Sequence, residues 1–544
     1  MNLRAILVAV LMVGFCNPGL LGQSLPEGFA EHVVLEGLEL PTNVEFAADG
    51  RIFIAEKSGV VKVFDNLDDR TPTVFADLQS QVYNIWDRGL IGLAVHPDFP
   101  DEPYVYVLYT LDAPIGQTPP VYGDQCGDPL GQGCLAGARL SRLTADGNVM
   151  SGPEEILIED WCQQYPSHSI VDLEFGLDGA LYVSGGDGAS FTEVDQGQHG
   201  NPCSDPPGEG GALRSQDLET DADAAVTMAG AILRVDPATG QALPDNPLFG
   251  GANSGDDRII AYGLRNPFRI AVHPQNNEVW VGDVGWNSFE EIHRVVDPVD
   301  TIVENFGWPC YEGEPIQPGY DGSNIPICEN LYASPGSVSP PVYAYHHSVI
   351  VAPGPCGTGA SAVTGLAFYD GGSFPKEFGG ALFFSDYTRS CIWVMYPGMD
   401  GVPDPETRET FVGGAGGVVD LERGPGGDLF YLDLFQGTLN RVQYVGPNFI
   451  RGDANGDGDL NLGDPIFTLN HFFSNGPSLC SDAEDSNDDG DLDVADPIYS
   501  INYLFAMGPP PLPPFGSPLE GCGFDPTPDG ELELDCATPP AGCR

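Results

Sequence analysis

Positive charge is what this sequence has least of. Only 21 Lys and Arg stand against 79 Asp and Glu in 544 residues, a net charge of −58. Such a surface repels polyanions, which excludes nucleic acid and anionic membrane surfaces as partners and favours cations. After the first 22 residues no apolar run is long enough to span a membrane. HExxH, GxSxG and P-loop signatures are absent, and no CxxC pair has zinc spacing. GQGCLA at 131–136 loosely matches a dinucleotide fingerprint. It follows Cys126 in a loop-like stretch with no βαβ pattern around it, which argues against a nicotinamide enzyme.

Material for a core is plentiful, with 42% hydrophobic and 10% aromatic residues, and the length calls for two or more structural units. Residues 1–22 read as a secretory signal: Arg4, an apolar run over 5–15, then small residues before Gln23. Lipoprotein processing before Cys16 is disfavoured by the bulky Phe15. The expected location is therefore secreted or extracytoplasmic. Of 13 cysteines, Cys16 leaves with the signal and an even number remains, so disulfides are expected. Cys126–Cys134 and Cys310–Cys328 are candidate local pairs, and the remaining connectivity is open.

The stretch 167–190, SHSIVDLEFGLDGALYVSGGDGAS, holds a strand at 171–175, a Gly/Asp turn and a second strand at 180–184. Folding about that turn brings His168 beside Asp187, and a histidine oriented by a carboxylate is a candidate general base. The same strand–turn–strand pattern recurs at 44–64, 90–110, 268–295, 363–394 and 418–442. Six such units with alternating burial predict a mainly β protein, a six-bladed β-propeller with loops at 111–165, 188–257 and 300–360 built over its faces. In a propeller the residues before each first strand and after each second strand share one end of the channel. That mouth gathers Asn43, Asp87, Arg88, His168, Arg265 and Asn266 with Glu56, Asp187, Asp283, Asp386 and Asp433. An Asp that ends a strand often only caps a turn, and His168 with Asp187 also fits a structural pair. His96 and His273 lie in matching HP turns and read as structural, while His346 and His347 stay ambiguous.

GLIGLAVHPDF (89–99), FGLDGALYVSGGDG (175–188), YGLRNPFRIAV (262–272), GDVGWNSFEEI (282–292), NFGWP (305–309) and GGALFFSDYTRSCIWV (379–394) occur in order. Together they resemble the glucose/sorbosone dehydrogenase family, the soluble quinoprotein sugar dehydrogenases, over about 27–445. The resemblance implies oxidation of a sugar or related alcohol or aldehyde with pyrroloquinoline quinone (PQQ). It makes His168 the base, Asp187 its orienting carboxylate, and Arg265 and Asn266 the pair at the quinone. Gly285 and Trp286 fall where the family's carbonyls hold calcium against the quinone, and Arg389 stands near the cofactor. Departures are Thr388 at the family's lysine, 417–419 (GVV) where arginines clamp the cofactor, Asp87 at a glutamine, and Ile170-Val171 at glycines. A non-catalytic propeller that binds carbohydrate or protein stays open as the rival reading.

The C-terminal region carries DANGDGDLNLGD (453–464) and DSNDDGDLDVAD (485–496). Both follow the calcium-loop pattern of oxygen ligands at positions 1, 3, 5, 9 and 12 with glycine at 6. The ligand sets are Asp453, Asn455, Asp457, Asn461 and Asp464 with the Asp459 carbonyl, and Asp485, Asn487, Asp489, Asp493 and Asp496 with the Asp491 carbonyl. Each loop precedes an apolar segment at helical spacing, PIFTLNHFF and PIYSINYLF. Asp at position 12 and one helix per loop resemble a type I dockerin, which implies calcium-dependent folding and a cohesin-type protein partner. A third Asp/Gly stretch, FDPTPDGELELDC, puts Thr527 and Cys536 at ligand positions and reads as a disulfide-tied cap. The expected division is signal 1–22, propeller 23–448, a small α-helical dockerin-like module 449–508 and a Pro/Cys-rich tail 509–544.

Overall fold

The computed structural model describes residues 24–515 except 124, 207, 220–226, 251–255, 335 and 447, together with 522, 523 and 536. The signal expected at 1–22 lies outside the described residues, as does most of the expected tail. Six sheets stand in a ring, antiparallel throughout except where Glu304–Asn305 pairs parallel with Ile259–Tyr262 in the third. Their inner strands are Pro41–Phe46, Leu90–Val95, Ile170–Phe175, Pro267–Val272, Val363–Tyr369 and Val418–Arg423. Each packs on the next, and the last packs on the first, which closes the channel. The ring is held by apolar clusters between neighbouring blades. Phe53 and Leu93 share the cluster between blades one and two, Tyr106 and Leu173 that between two and three, and Phe430 and Ile54 that where six returns to one. Burying such side chains contributes about 1.5–3 kcal/mol each, an upper bound because the unfolded chain is itself partly compact.

All six expected units form blades, and the two strands of the His168 hairpin, Ile170–Phe175 and Leu181–Gly185, fall within a residue of the sequence reading. The long inserts do not form loops alone. Ala136–Asp146 and Glu155–Gln163 are the outer strands of blade two, while Ala231–Val235, Ile259–Tyr262 and Glu304–Asn305 extend blade three. Tyr343–His346 completes blade four. Their Gly, Pro and Asp sit in the turns and hide the strands between them. Phe29–Glu36 pairs antiparallel with Thr438–Tyr444, so the two ends of the propeller sequence share blade six. Such closure ties the first and last segments of the ring together through one ladder of backbone hydrogen bonds.

Disulfides join Cys126–Cys134, Cys162–Cys203, Cys310–Cys328, Cys356–Cys391 and Cys480–Cys536. Both expected local pairs are among them, and the set fits an oxidising, extracellular setting. Among the described residues no helix is long and apolar enough to cross a membrane.

Candidate active site

One mouth of the channel opens into a cavity of about 550 Å³ lined by His168, Asp87, Arg265, Asn266, Gly285 and Trp286, among others. His168 comes at the entry to its strand with φ +50, the left-handed region that costs an L-residue about 1–2 kcal/mol. The neighbourhood holds it there. Its carbonyl accepts from Gly188 N–H (3.0 Å), and Gly186 passes so close that a Cβ there would lie 2.2 Å from the same oxygen. Strain of this kind at a cavity is a pointer to function.

The imidazole Nδ1 lies 2.9 Å from Asp187 Oδ1. Asp187 is itself fixed: Oδ1 also accepts from Ala189 N–H (2.9 Å) and Oδ2 from the Trp308 indole N–H (2.8 Å). With Nδ1 engaged, Nε2 is the nitrogen left for chemistry. Burial lowers the His168 pKa, Arg265 lowers it further, and Asp187 and Asp87 only partly offset this. The ring is therefore neutral at neutral pH, the protonation state a base needs.

Arg265 and Asn266 are set by Asp283, whose oxygens accept their backbone N–H groups at 3.0 and 2.6 Å. The Arg265 guanidinium lies over the Trp308 ring and donates Nη1 to the carbonyls of Val284 (2.8 Å) and Gly285 (2.7 Å). Trp286 and the next three residues wrap one carboxylate oxygen: Glu312 Oε1 accepts from the backbone N–H of Trp286, Asn287, Ser288 and Phe289. Asp87 stands exposed at the rim of the cavity, where His168, Lys57 and Arg265 favour its charged form.

Several expected residues lie elsewhere. Arg389 does not line the cavity; its guanidinium donates to Ser361 Oγ (2.8 Å) and to the carbonyls of Val349 (2.8 Å) and His347 (3.0 Å). A side chain so engaged turns away from a cofactor in the channel, which corrects its place beside the quinone. Arg88 is buried under three carbonyls, those of Cys134, Gln163 and Tyr165. Asn43 sits deeper in the channel and donates to Asp420 Oδ2 (2.9 Å). Of the acids after second strands, only Asp187 holds a cavity side chain. Asp386 and Asp433 accept from the backbone of their own turns, and Glu56 pairs with Lys62. His96 and His273 each cap an HP turn through Nδ1.

Lys57, Trp86, Ser169, Phe191, Trp308 and Glu312 belong to the site and escape the sequence reading. For Trp308 a signal existed, its place in the NFGWP motif. Glu312 shows none, because its role depends on four backbone groups more than 20 residues upstream.

In the C-terminal region both loops fold alike. Asp453 Oδ2 accepts from Gly458 N–H (2.8 Å) and Asp485 Oδ2 from Gly490 N–H (3.0 Å), the glycine at position 6 in each. Asp464 and Asp496, at position 12, each accept at 2.8 Å from the backbone of position 9, Asn461 and Asp493. Asn455, Asp457, Asn487 and Asp489 accept from the residue two further on, and the Asp459 carbonyl accepts from the Asn461 side chain. Asp491 enters this pattern as a donor, its N–H bonding Asp489 Oδ1 (3.1 Å). The helices Gly463–Ser474 and Ala495–Ala506 follow the loops and pack on each other.

The model of the glucose / sorbosone dehydrogenase family matches residues 38–440. The chain belongs to that family. It is 25% identical over 322 residues to quinoprotein glucose dehydrogenase B of Acinetobacter calcoaceticus, covering 58% of this chain and 59% of that protein. It is 24% identical over 261 residues to the hedgehog-interacting protein of Mus musculus, covering 44% and 31%. The PQQ-bound aldose sugar dehydrogenase of Streptomyces coelicolor shares the fold, with a TM-score of 0.53, 16% identity, and 77% of this chain and 99% of that chain covered. The chain spans about half the length of the curated relatives it matches.

The cavity fits a flat, anionic cofactor at one edge. Arg265 and Lys57 bring positive charge to the lining, and Ser169 Oγ is buried there without a protein hydrogen bond. Ile170, Val171, Phe268, Val419 and Leu434 give the apolar walls a ring system needs.

Proposed function

We propose that this protein is a quinoprotein-type dehydrogenase that oxidises a sugar or a related alcohol or aldehyde. The observation that carries the reading is the neutral, cavity-facing His168 held through Nδ1 by a buried carboxylate. His168 Nε2 takes the proton from the substrate hydroxyl. Asp187 fixes the tautomer and stabilises the imidazolium that results. PQQ, when bound, supplies the hydride acceptor, and calcium polarises its oxygens. Arg265, Asn266 and Ser169 would hold the cofactor's polar edge, and the loop fixed by Glu312 presents Gly285 and Trp286. Reconstitution with PQQ and calcium tests this: a spectral change on binding and dye reduction with aldoses are expected in the wild type, and His168→Ala abolishes the reduction. No spectral change and no reduction across an aldose panel would sink the enzyme reading.

A non-catalytic propeller is the second reading. Arg389 is turned away, uncharged Val419 lines the wall, and Asp87 adds negative charge where a tricarboxylate would bind. The hedgehog-interacting protein stands among the relatives.

For residues 449–508 we propose a dockerin-like module that binds two calcium ions and docks the secreted protein onto a cohesin-type partner. The matching hydrogen-bond pattern of two loops 32 residues apart supports it. Far-UV circular dichroism that ignores chelator would remove the calcium claim.

A further inference from the structure

Trp86 is out of keeping with the other tryptophans. Trp161, Trp280 and Trp393 are fully buried and Trp308 nearly so, whereas Trp86 is 46% exposed and sits at φ +54. A lone exposed aromatic residue is ordinary on a protein surface. Three observations separate this one from that background. It lines the cavity that holds His168. It is displayed rigidly: the adjoining Arg88 is wholly buried and donates to three carbonyls, and Asp87 N–H bonds the Pro166 carbonyl (3.2 Å). It also ends a row of rings. Phe191 lies 6.4 Å from the His168 ring, and Trp86 lies 5.9 Å from Phe191 on the solvent side. Phe191 is anchored in turn, since its carbonyl accepts from the Trp286 indole N–H (2.8 Å).

A sugar ring has apolar C–H faces and a hydroxyl edge, so it matches an aromatic face better than an aliphatic one. For a sugar ring seated at His168 the nearer aromatic face is Phe191 and the farther one is Trp86. A second ring on the same chain would cover it. We propose that Trp86, backed by Phe191, is a stacking platform for the second ring, so that the substrate is the end of an oligosaccharide and not a free monosaccharide. This rests on the sugar-oxidation reading. The acidic surface and Asp87 at the rim suit such a neutral chain.

The test uses the full-length protein loaded with PQQ and calcium, and D-glucose, maltose and cellobiose as probes. Trp86 is the indole most open to acrylamide, so its quenching reports occupancy without turnover. A disaccharide is expected to protect it and glucose to leave it quenchable. Trp86→Ala should remove most of the quenchable fraction and weaken the disaccharide about tenfold relative to glucose, the order of one lost aromatic contact. Trp86→Phe should keep most of the affinity. Equal disaccharide affinity in wild type and Trp86→Ala overturns the platform, as does an absence of binding by all three sugars. The two readings fail separately. Turnover of glucose and disaccharides unaffected by Trp86→Ala removes the platform and keeps the dehydrogenase. Protection of Trp86 by a disaccharide with no dye reduction removes the dehydrogenase and keeps the platform.

Discussion

His168, the proposed base, is defined at the residue scale by the groups that close off its alternatives. Trp308 and the Ala189 N–H hold Asp187, Asp187 holds Nδ1, and burial keeps the ring neutral. Asp187→Asn keeps the shape and removes the charge that favours the correct tautomer, so kcat should fall on the order of 10²–10⁴-fold. The pH profile gives a sharper readout. A neutral histidine is the active form, so activity is lost as pH falls through its folded-state pKa. That pKa lies below the free value of about 6.5, and the acid limb of kcat/KM should lie below it too. Asp187 pushes the His168 pKa up, so Asp187→Asn should move the limb no higher. A limb above about 6.5 in the wild type would mean that another group is the base. Trp308→Phe removes one of Asp187's donors and should lower kcat about tenfold with little effect on KM.

Among the elements, the inner strands decide both the site and a stability feature below it. Along each inner strand every second residue faces the channel. One layer holds Arg269, which pairs with Asp420 (2.9 Å) and Asp172 (3.4 Å). The next residues on that face are Glu45, Glu174 and Glu422, whose carboxylate oxygens lie within 4.8 Å of one another. Burial raises all three pKa values and repulsion from Asp172 and Asp420 raises them further, with Glu174 reaching about 8; Glu45 and Glu422 are also pushed up by neighbouring glutamates. The folded state thus holds protons that the unfolded chain releases near 4.3. Stability should fall as pH rises from about 4.3 through about 8, where Glu174 titrates. Glu174→Gln should raise Tm at pH 8 relative to wild type and flatten the slope. An unchanged slope would show that these carboxyls titrate normally. Asp420→Ala leaves Arg269 short of its closer partner, and about 3–5 kcal/mol of destabilisation is expected in denaturant unfolding. Period-two alternation made the inner strands and the hairpin readable, and with them His168 beside Asp187. The outer strands inside the long inserts were not readable, because Ala136–Asp146 and Ala231–Val235 sit among turn residues. Arg389 shows the limit for side chains: a position beside the channel says nothing about which of two directions a long side chain takes.

For the molecule as a whole, charge and calcium have to be told apart. A chain at −58 repels itself, and any salt relieves that repulsion. Added calcium would then stabilise the protein even without a site. A specific site behaves differently: at 100 times its Kd one bound ion contributes about 2.7 kcal/mol beyond what matched salt supplies. Thermal unfolding should therefore be followed at fixed ionic strength, with millimolar calcium against matched NaCl. Calcium should raise the transition of the C-terminal helices, read by far-UV circular dichroism of the wild type against a chain ending at residue 448. The shortened chain keeps every blade strand, including the Phe29–Glu36 closure. Its own transition and any dye reduction should match those of the full chain under the same salt. Asp453→Ala with Asp485→Ala removes the position 1 ligand from both loops and should abolish the calcium-specific rise while leaving the NaCl effect. If matched NaCl reproduces the whole shift, the loops are acidic turns stabilised by screening. If the double variant retains the rise, the cation is held elsewhere, and the three channel glutamates are the first place to look.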